Sequence, residues 1–195
     1  MTPNKSRLAL VLSAFMLGMV VFFGAIFLIT GRDGSASSTI GGSFTLTDQD
    51  GKIVTDADFK GKPMLVFFGY THCPDVCPTT LFDVSEVLRA LGSDADKTQA
   101  LFITIDPERD TAPVMKDYLS SFDPHLRGLT GTVDAITSAE KVYRVYAKKV
   151  PGENGEYAMD HTALVYLMDK KGQFVAPFNL KRKPAEAAAD LRKYF

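Results

Sequence analysis

Both cysteines of the chain, Cys73 and Cys77, stand four positions apart in residues 62–81, KPMLVFFGYTHCPDVCPTTL. A third soft donor, His161, comes far later. Two sulfurs and an imidazole support two kinds of chemistry. The sulfurs can close into a redox disulfide, which requires Cα atoms about 4.4 to 6.8 Å apart, or all three can hold a metal ion. Thiolates favour Cu(I) and imidazole suits copper in either oxidation state, so the set suits one copper ion per chain, as Cu(I) or Cu(II). Zinc is the alternative, but structural zinc normally closes with four protein ligands and three good candidates are visible. An incomplete shell suits a site from which metal is handed on. His72 is adjacent to Cys73 and should point away from it in an extended turn. It and Asp160, adjacent to His161, are candidates to support the ligands rather than join them. His125 is expected at the surface. A polar, Pro-containing loop is a poor place to bury two merely structural sulfurs, and a bridge closing so short a loop would add little stability.

Positioning these side chains requires a frame. Residues 64–70 (MLVFFGY) form a continuous apolar run, expected as a strand buried on both faces. After a polar turn, Leu81, Val84, Val87, Leu88 and Leu91 recur at helical spacing and stop at Gly92, a natural C-cap. This strand, loop and helix place Cys77 in the first helical turn with Cys73 just before it, their Cα atoms about 6 Å apart on one face. A helix start also favours thiolate over thiol. In an α/β sheet the loop at a strand's carboxyl end is where ligands bind.

The remaining elements follow in order. A hairpin is expected around Asp48–Gly51, flanked by Phe44, Leu46, Ile53 and Val54. Residues 101–105 (LFITI) form a second buried strand. Asp110 or Thr111 caps a helix with Pro113 in its first turn and Val114, Tyr118, Leu119 and Phe122 inward. Residues 124–128 (PHLRG) read as a loop, and Thr132 caps a helix carrying Val133, Ile136, Val142, Tyr143 and Tyr146. Residues 147–159 (AKKVPGENGEYAM) lack an apolar face and read as an exposed, mobile excursion. A third buried strand over 163–168, a turn, a partner strand over 174–178 and a helix opened by Pro184 complete the chain. This order matches an α/β, thioredoxin-like fold with helices on both sheet faces. Thioredoxin-like proteins usually carry a cis-proline facing the cysteine loop just before that third strand; here the region reads Asp-His-Thr, with His161 in the proline's place.

Formal net charge is −1 with no basic stripe, which excludes nucleic acid as an expected partner. Residues 8–29 form a 22-residue stretch without charge, enough to cross a bilayer core that needs roughly 20 helical residues. Lys5 and Arg7 precede it and should stay in the cytoplasm. The expected organisation is a cytoplasmic N-terminus over 1–7, a transmembrane anchor over 8–29, a flexible Gly/Ser linker over 30–42 and the domain over 43–195. A cleaved signal peptide is the alternative, but its apolar core runs only about 7 to 15 residues. No cysteine follows the segment to carry a lipid. The expected location is a bacterial inner membrane, single-pass, with the domain in the periplasm. There, two nearby cysteines tend to a disulfide unless a reductant or metal intervenes.

Five segments resemble the Sco/SenC family: GYTHCPDVCP at 69–78, IDPERDT at 105–111, GLTGT at 128–132, YRVYAKK at 143–149 and DHTALVYLMD at 160–169. The resemblance implies copper on Cys73, Cys77 and His161. It further implies a protein that delivers copper to, or reduces cysteines of, the CuA site of cytochrome c oxidase during assembly. Implied partners are the CuA-bearing oxidase subunit, a periplasmic copper donor and a periplasmic thiol reductant. The protein would not be a turnover enzyme, though an accessory thiol-disulfide reductase activity is compatible. Three rivals stand beside this reading. A thioredoxin-type oxidoreductase uses Cys-x2-Cys and a cis-proline, and neither is present here. A peroxiredoxin-like peroxidase places a threonine three residues before its cysteine, where this chain has Pro74. A copper or redox sensor would signal by ordering residues 147–159.

Overall fold

Phe67 and Phe68 are neighbours on one strand, so their side chains must leave it on opposite faces, and both are buried. A sheet covered on both sides is therefore required. The computed structural model describes residues 15–22, 24 and 40–195. Its elements are β1 (Thr45–Asp48), β2 (Ile53–Thr55), β3 (Met64–Gly69), α1 (Val76–Leu91), β4 (Gln99–Thr104), α2 (Ala112–Leu119), β5 (Leu126–Thr130), α3 (Val133–Tyr143), β6 (Ala147–Pro151), β7 (Tyr157–His161), β8 (Val165–Met168), β9 (Phe174–Pro177) and α4 (Pro184–Arg192). Seven strands form one mixed sheet in the order β2-β1-β5-β4-β3-β8-β9. Strands β3, β4 and β5 run parallel, while β8 lies antiparallel on the other side of β3.

Aromatic side chains define the two layers. On one face Phe67 stacks on Phe102 with ring centroids 5.9 Å apart, and Phe102 meets Tyr118 just inside the end of α2 at 6.0 Å. On the other, Phe68 meets Tyr143 of α3 at 5.2 Å and Tyr166 at 6.3 Å. Burying each such side chain contributes about 1.5 to 3 kcal/mol over leaving it exposed. Helices α1 and α4 pack on each other, and Gly92, at φ 60°, ends α1 where the sequence places the stop.

Four expectations are corrected. Residues 126–130 are a strand, not a loop, and β5 lies between β1 and β4. Its glycine misled: a Cβ on Gly128 would lie 2.8 Å from Leu119 Cδ1 and 3.1 Å from Met115 Cε, so this is a close approach of α2 to the sheet rather than a turn. On α2 Met115 and Leu119 are buried and Tyr118 packs against the core, as does Phe122 just beyond the helix, while Val114 is exposed. In α3, Ile136, Ala139 and Tyr143 face inward, Val133 is exposed, and Tyr146 is exposed beyond the helix end. The Thr132 cap forms, its hydroxyl oxygen accepting from the Ala135 N–H at 3.2 Å. Finally, residues 147–159 are not an irregular excursion. β6 and β7 pair as an antiparallel hairpin with Ala147 opposite His161 and Pro151 opposite Tyr157, turning through Gly155 at φ 83°. The hairpin has no apolar face to betray it because it docks largely through polar side chains.

Residues 39–195 form one compact unit and residues 1–38 another. In the latter, residues 15–22 are helical. Most of the expected anchor over 8–29, the expected cytoplasmic residues 1–7 and nearly all of the linker lie outside the described residues. Among the described residues no helix is long and apolar enough to cross a membrane.

Candidate metal centre

The chain leaves β3 at Gly69 and turns through Tyr70, whose carbonyl accepts from the Cys73 N–H at 3.3 Å. Helix α1 then starts at Val76. The first N–H groups of a helix lack intrahelical partners, and here the Cys73 Sγ accepts one of them, from Cys77 N at 3.4 Å. Asp75, at the N-cap position, makes no side-chain cap bond. Cys77 is fully buried, and Gly69 makes room for it: a Cβ there would lie 2.7 Å from the Cys77 Sγ. Cys73 is half-buried, and both cysteines are free.

His161 arrives from the end of β7, not from the head of β8 as the sequence suggests. Its Nε2 lies 3.5 Å from the Cys77 Sγ. Its Nδ1 lies 3.0 Å from the Thr162 carbonyl oxygen. A carbonyl only accepts, so Nδ1 carries a proton and Nε2 is the ring nitrogen that faces the sulfurs. The donor atoms of Cys73, Cys77 and His161 all lie within 4.8 Å of one another. Metal bonds of about 2.0 to 2.3 Å leave donors roughly 3.5 to 4 Å apart, so a small contraction closes the three around one ion. Two soft sulfurs, one imidazole and a half-exposed side fit copper.

Burial pushes the Cys77 thiol well above its ordinary value, with the hydrogen bond to Cys73 adding to the rise. The expectation that the helix start favours thiolate fails at this sulfur, because desolvation outweighs it. A bound cation would displace that proton. Aromatic rings wall the imidazole, with Tyr70 edge-on at 5.9 Å and Phe67 at 6.3 Å. Burial also raises the Tyr70 phenol, which stays neutral and accepts from the Met159 N–H at 3.3 Å.

The flanking candidates behave differently. His72 is exposed and turns its Nδ1 to the Thr71 hydroxyl at 3.0 Å, not to the sulfurs. Asp160 is exposed opposite Lys148, one residue out of phase with His161 and so on the other face of β7. The Thr162 carbonyl takes the supporting role expected of it. His125 lies at the surface as expected, with 38% of its side chain exposed, its Nδ1 2.7 Å from Asp123 and its Nε2 3.4 Å from Asp96. Two residues matter at the site in ways the sequence did not show. One is Tyr70. The other is Asp110, expected only as a helix cap: Thr111 takes the N-cap position, and Asp110 is a buried carboxylate that accepts from Thr71 and Thr104. Its signal was its place in the 105–111 motif directly after a buried strand.

Comparison with known proteins agrees with this geometry. The SCO1/SenC family model matches residues 32–195. The SCO2-like protein of Rickettsia felis is 39% identical over 149 residues, which cover 75% of this chain and 73% of the relative. The mitochondrial SCO2 homologue of Danio rerio is 38% identical over 156 residues, 78% of this chain but 56% of the relative, so the chain spans little more than half of that protein. Among solved structures, Bradyrhizobium japonicum ScoI with copper bound superposes with a TM-score of 0.79 at 68% identity, covering 80% of this chain and 99% of that one. Yeast Sco1 with copper bound gives 0.73 at 38% identity, covering 80% and 88%. A family match of this length, on a fold shared with those structures, makes the chain a member of the SCO1/SenC family.

Proposed function

We propose that this chain is a copper-binding assembly protein that holds one copper ion between Cys73, Cys77 and His161 and passes it to the CuA-bearing subunit of cytochrome c oxidase. The observation that carries the reading is the convergence of these three donors within 4.8 Å from two distant parts of the chain. Copper is cargo in this scheme. The half-buried Cys73 is the sulfur an acceptor protein can reach, and the buried Cys77 and walled imidazole retain the ion until it does. A charge-free stretch over 8–29, with Lys5 and Arg7 before it, supports a single-pass anchor in a bacterial inner membrane with the domain on the periplasmic side. A periplasmic copper donor and a periplasmic thiol reductant then complete the set of partners.

The test is a copper titration of the reduced protein from Ile40 onward, comparing wild type with Cys73→Ser, Cys77→Ser and His161→Ala. One ion per wild-type chain and severe loss in each variant is the expected outcome. Wild-type capacity in any variant removes that ligand, and no uptake by wild type ends the reading.

The contrast in burial between the sulfurs favours a second activity, reduction of a target disulfide. Cys73 would attack the target, Cys77 would release it by closing the internal disulfide, and two electrons and two protons pass to the target's sulfurs. The protein is not proposed as a turnover enzyme: this reduction is accessory to copper transfer, and the periplasmic thiol reductant restores the thiols. The sensor reading loses its premise, because residues 147–159 already form a paired hairpin.

A further inference from the structure

The imidazole that completes the donor set hangs on β6–β7, a hairpin whose strands, among the described residues, pair only with each other. Sheet pairing therefore does not fix where His161 sits. Alternation along β7 puts Tyr157, Met159 and His161 on one face, the half-buried one. Met159 is held through its N–H by the Tyr70 hydroxyl, and His161 faces Cys77. Tyr157 meets the loop between β4 and α2. Its hydroxyl donates to Asp106 Oδ1 at 2.8 Å. The Arg109 guanidinium carbon lies 3.7 Å from the Tyr157 ring centroid, and Arg109 Nη1 donates to the Tyr157 carbonyl at 3.1 Å. Arg109 Nε donates to Asp106 Oδ2 at 2.5 Å, and the Asp106 side chain is fully buried. The same guanidinium lies 5.8 Å from the ring of Tyr70, which meets His161 edge-on.

Asp106, Arg109 and Tyr157 thus close a ring in which one carboxylate accepts from both partners and one planar cation covers the aromatic face. A guanidinium suits this place because its fork bonds two acceptors while its plane stacks, which an ammonium cannot do. We propose that Arg109 is a positioning residue of the metal centre: it clamps the hairpin to the end of the main sheet and so sets the distance from the His161 imidazole to the two sulfurs. Groups that orient a metal ligand without touching the metal typically change affinity by about 10- to 100-fold when removed. The proposal rests on the copper reading for its consequence, but the clamp can be read without metal.

The test uses the full-length chain in detergent as wild type, Arg109→Gln, Arg109→Lys and Tyr157→Phe. In the reduced, metal-free protein, hydrogen exchange of residues 157–161 should quicken in both Arg109 variants while β3 and α1 exchange as in wild type. With Cu(II) added, Arg109→Gln should bind about 10- to 100-fold more weakly and lose the nitrogen coupling that His161 gives to the electron paramagnetic resonance spectrum. Arg109→Lys should not rescue either property, and Tyr157→Phe, which keeps the stacked ring, should show a smaller loss. Wild-type exchange and affinity in Arg109→Gln overturn the proposal. So does a rise in exchange spread equally over β3 and α1, which would make Arg109 a general stabiliser. If the wild-type chain takes up no copper, the copper reading falls, and the exchange of 157–161 still decides for or against the clamp.

Discussion

Asp110 holds Thr71 at two points, one oxygen accepting from the Thr71 backbone N–H at 3.0 Å and the other from its hydroxyl at 2.6 Å. Thr71 opens the turn that carries Cys73, so a buried carboxylate beyond β4 sets how that turn leaves β3. Thr104, the last residue of β4, adds its hydroxyl to the same carboxylate at 2.6 Å. All three contacts are donors meeting one buried carboxylate, so none of them is left unpaired.

Asp110→Asn keeps the shape but puts an N–H2 group where one of the two carboxylate oxygens accepted. It should lower stability by about 3 kcal/mol. Urea unfolding should show an earlier midpoint with an unchanged slope. A midpoint equal to wild type would mean the carboxylate does not organise the turn.

Gly69→Ala tests the space in which the buried sulfur sits. The new methyl would fall 2.7 Å from Cys77 Sγ and 2.8 Å from Phe102 Cε2, too close for either contact to stand, so these packed side chains must shift. Overpacking of this kind costs about 1 to 3 kcal/mol. Thermal melting should report that loss, and copper uptake should drop because the sulfur is displaced. A variant that melts and binds as wild type would show that the core there is slack.

Glu140 on α3 lines a pocket with Ile105, Ile136 and Met159, and burial pushes its carboxyl up to about 7 from 4.5. The folded state holds this proton longer than the unfolded chain, so Glu140's contribution to stability falls as pH rises from about 4.5 through about 7. Glu140→Gln should match wild type near the lower end of that window and exceed it at pH 8 by about 1 to 2 kcal/mol, allowing for solvent at this half-buried group. Denaturation at several pH values checks this. Parallel stability curves for the two proteins would contradict it.

The two cysteines should react at different rates. Cys73 is half-buried, whereas Cys77 is fully buried and burial keeps its thiol protonated. Timed alkylation of the reduced protein at pH 8, read by mass spectrometry, should modify Cys73 at least about tenfold faster. Equal rates would remove the basis for assigning Cys73 as the sulfur that meets a partner.

Reading the chain alone was enough for β3, for α1 with its stop at Gly92, for the Thr132 cap and for the cysteines beyond the carboxyl end of a central strand. Each of these is written in neighbouring residues, through apolar runs, helical spacing and capping side chains. The donor triplet was legible too, because Cys and His are chemically distinctive wherever they stand. Tertiary structure decided the rest. β5 pairs between β1 and β4 with α2 packed close over Gly128, and residues 147–161 pair as a hairpin that Arg109 and Tyr70 contact from distant segments. Asp110 meets Thr71 across 39 positions and His161 meets Cys77 across 84. Such polar contacts leave no periodic trace, since what satisfies a buried donor or carboxylate depends on which distant segment the packing brings beside it.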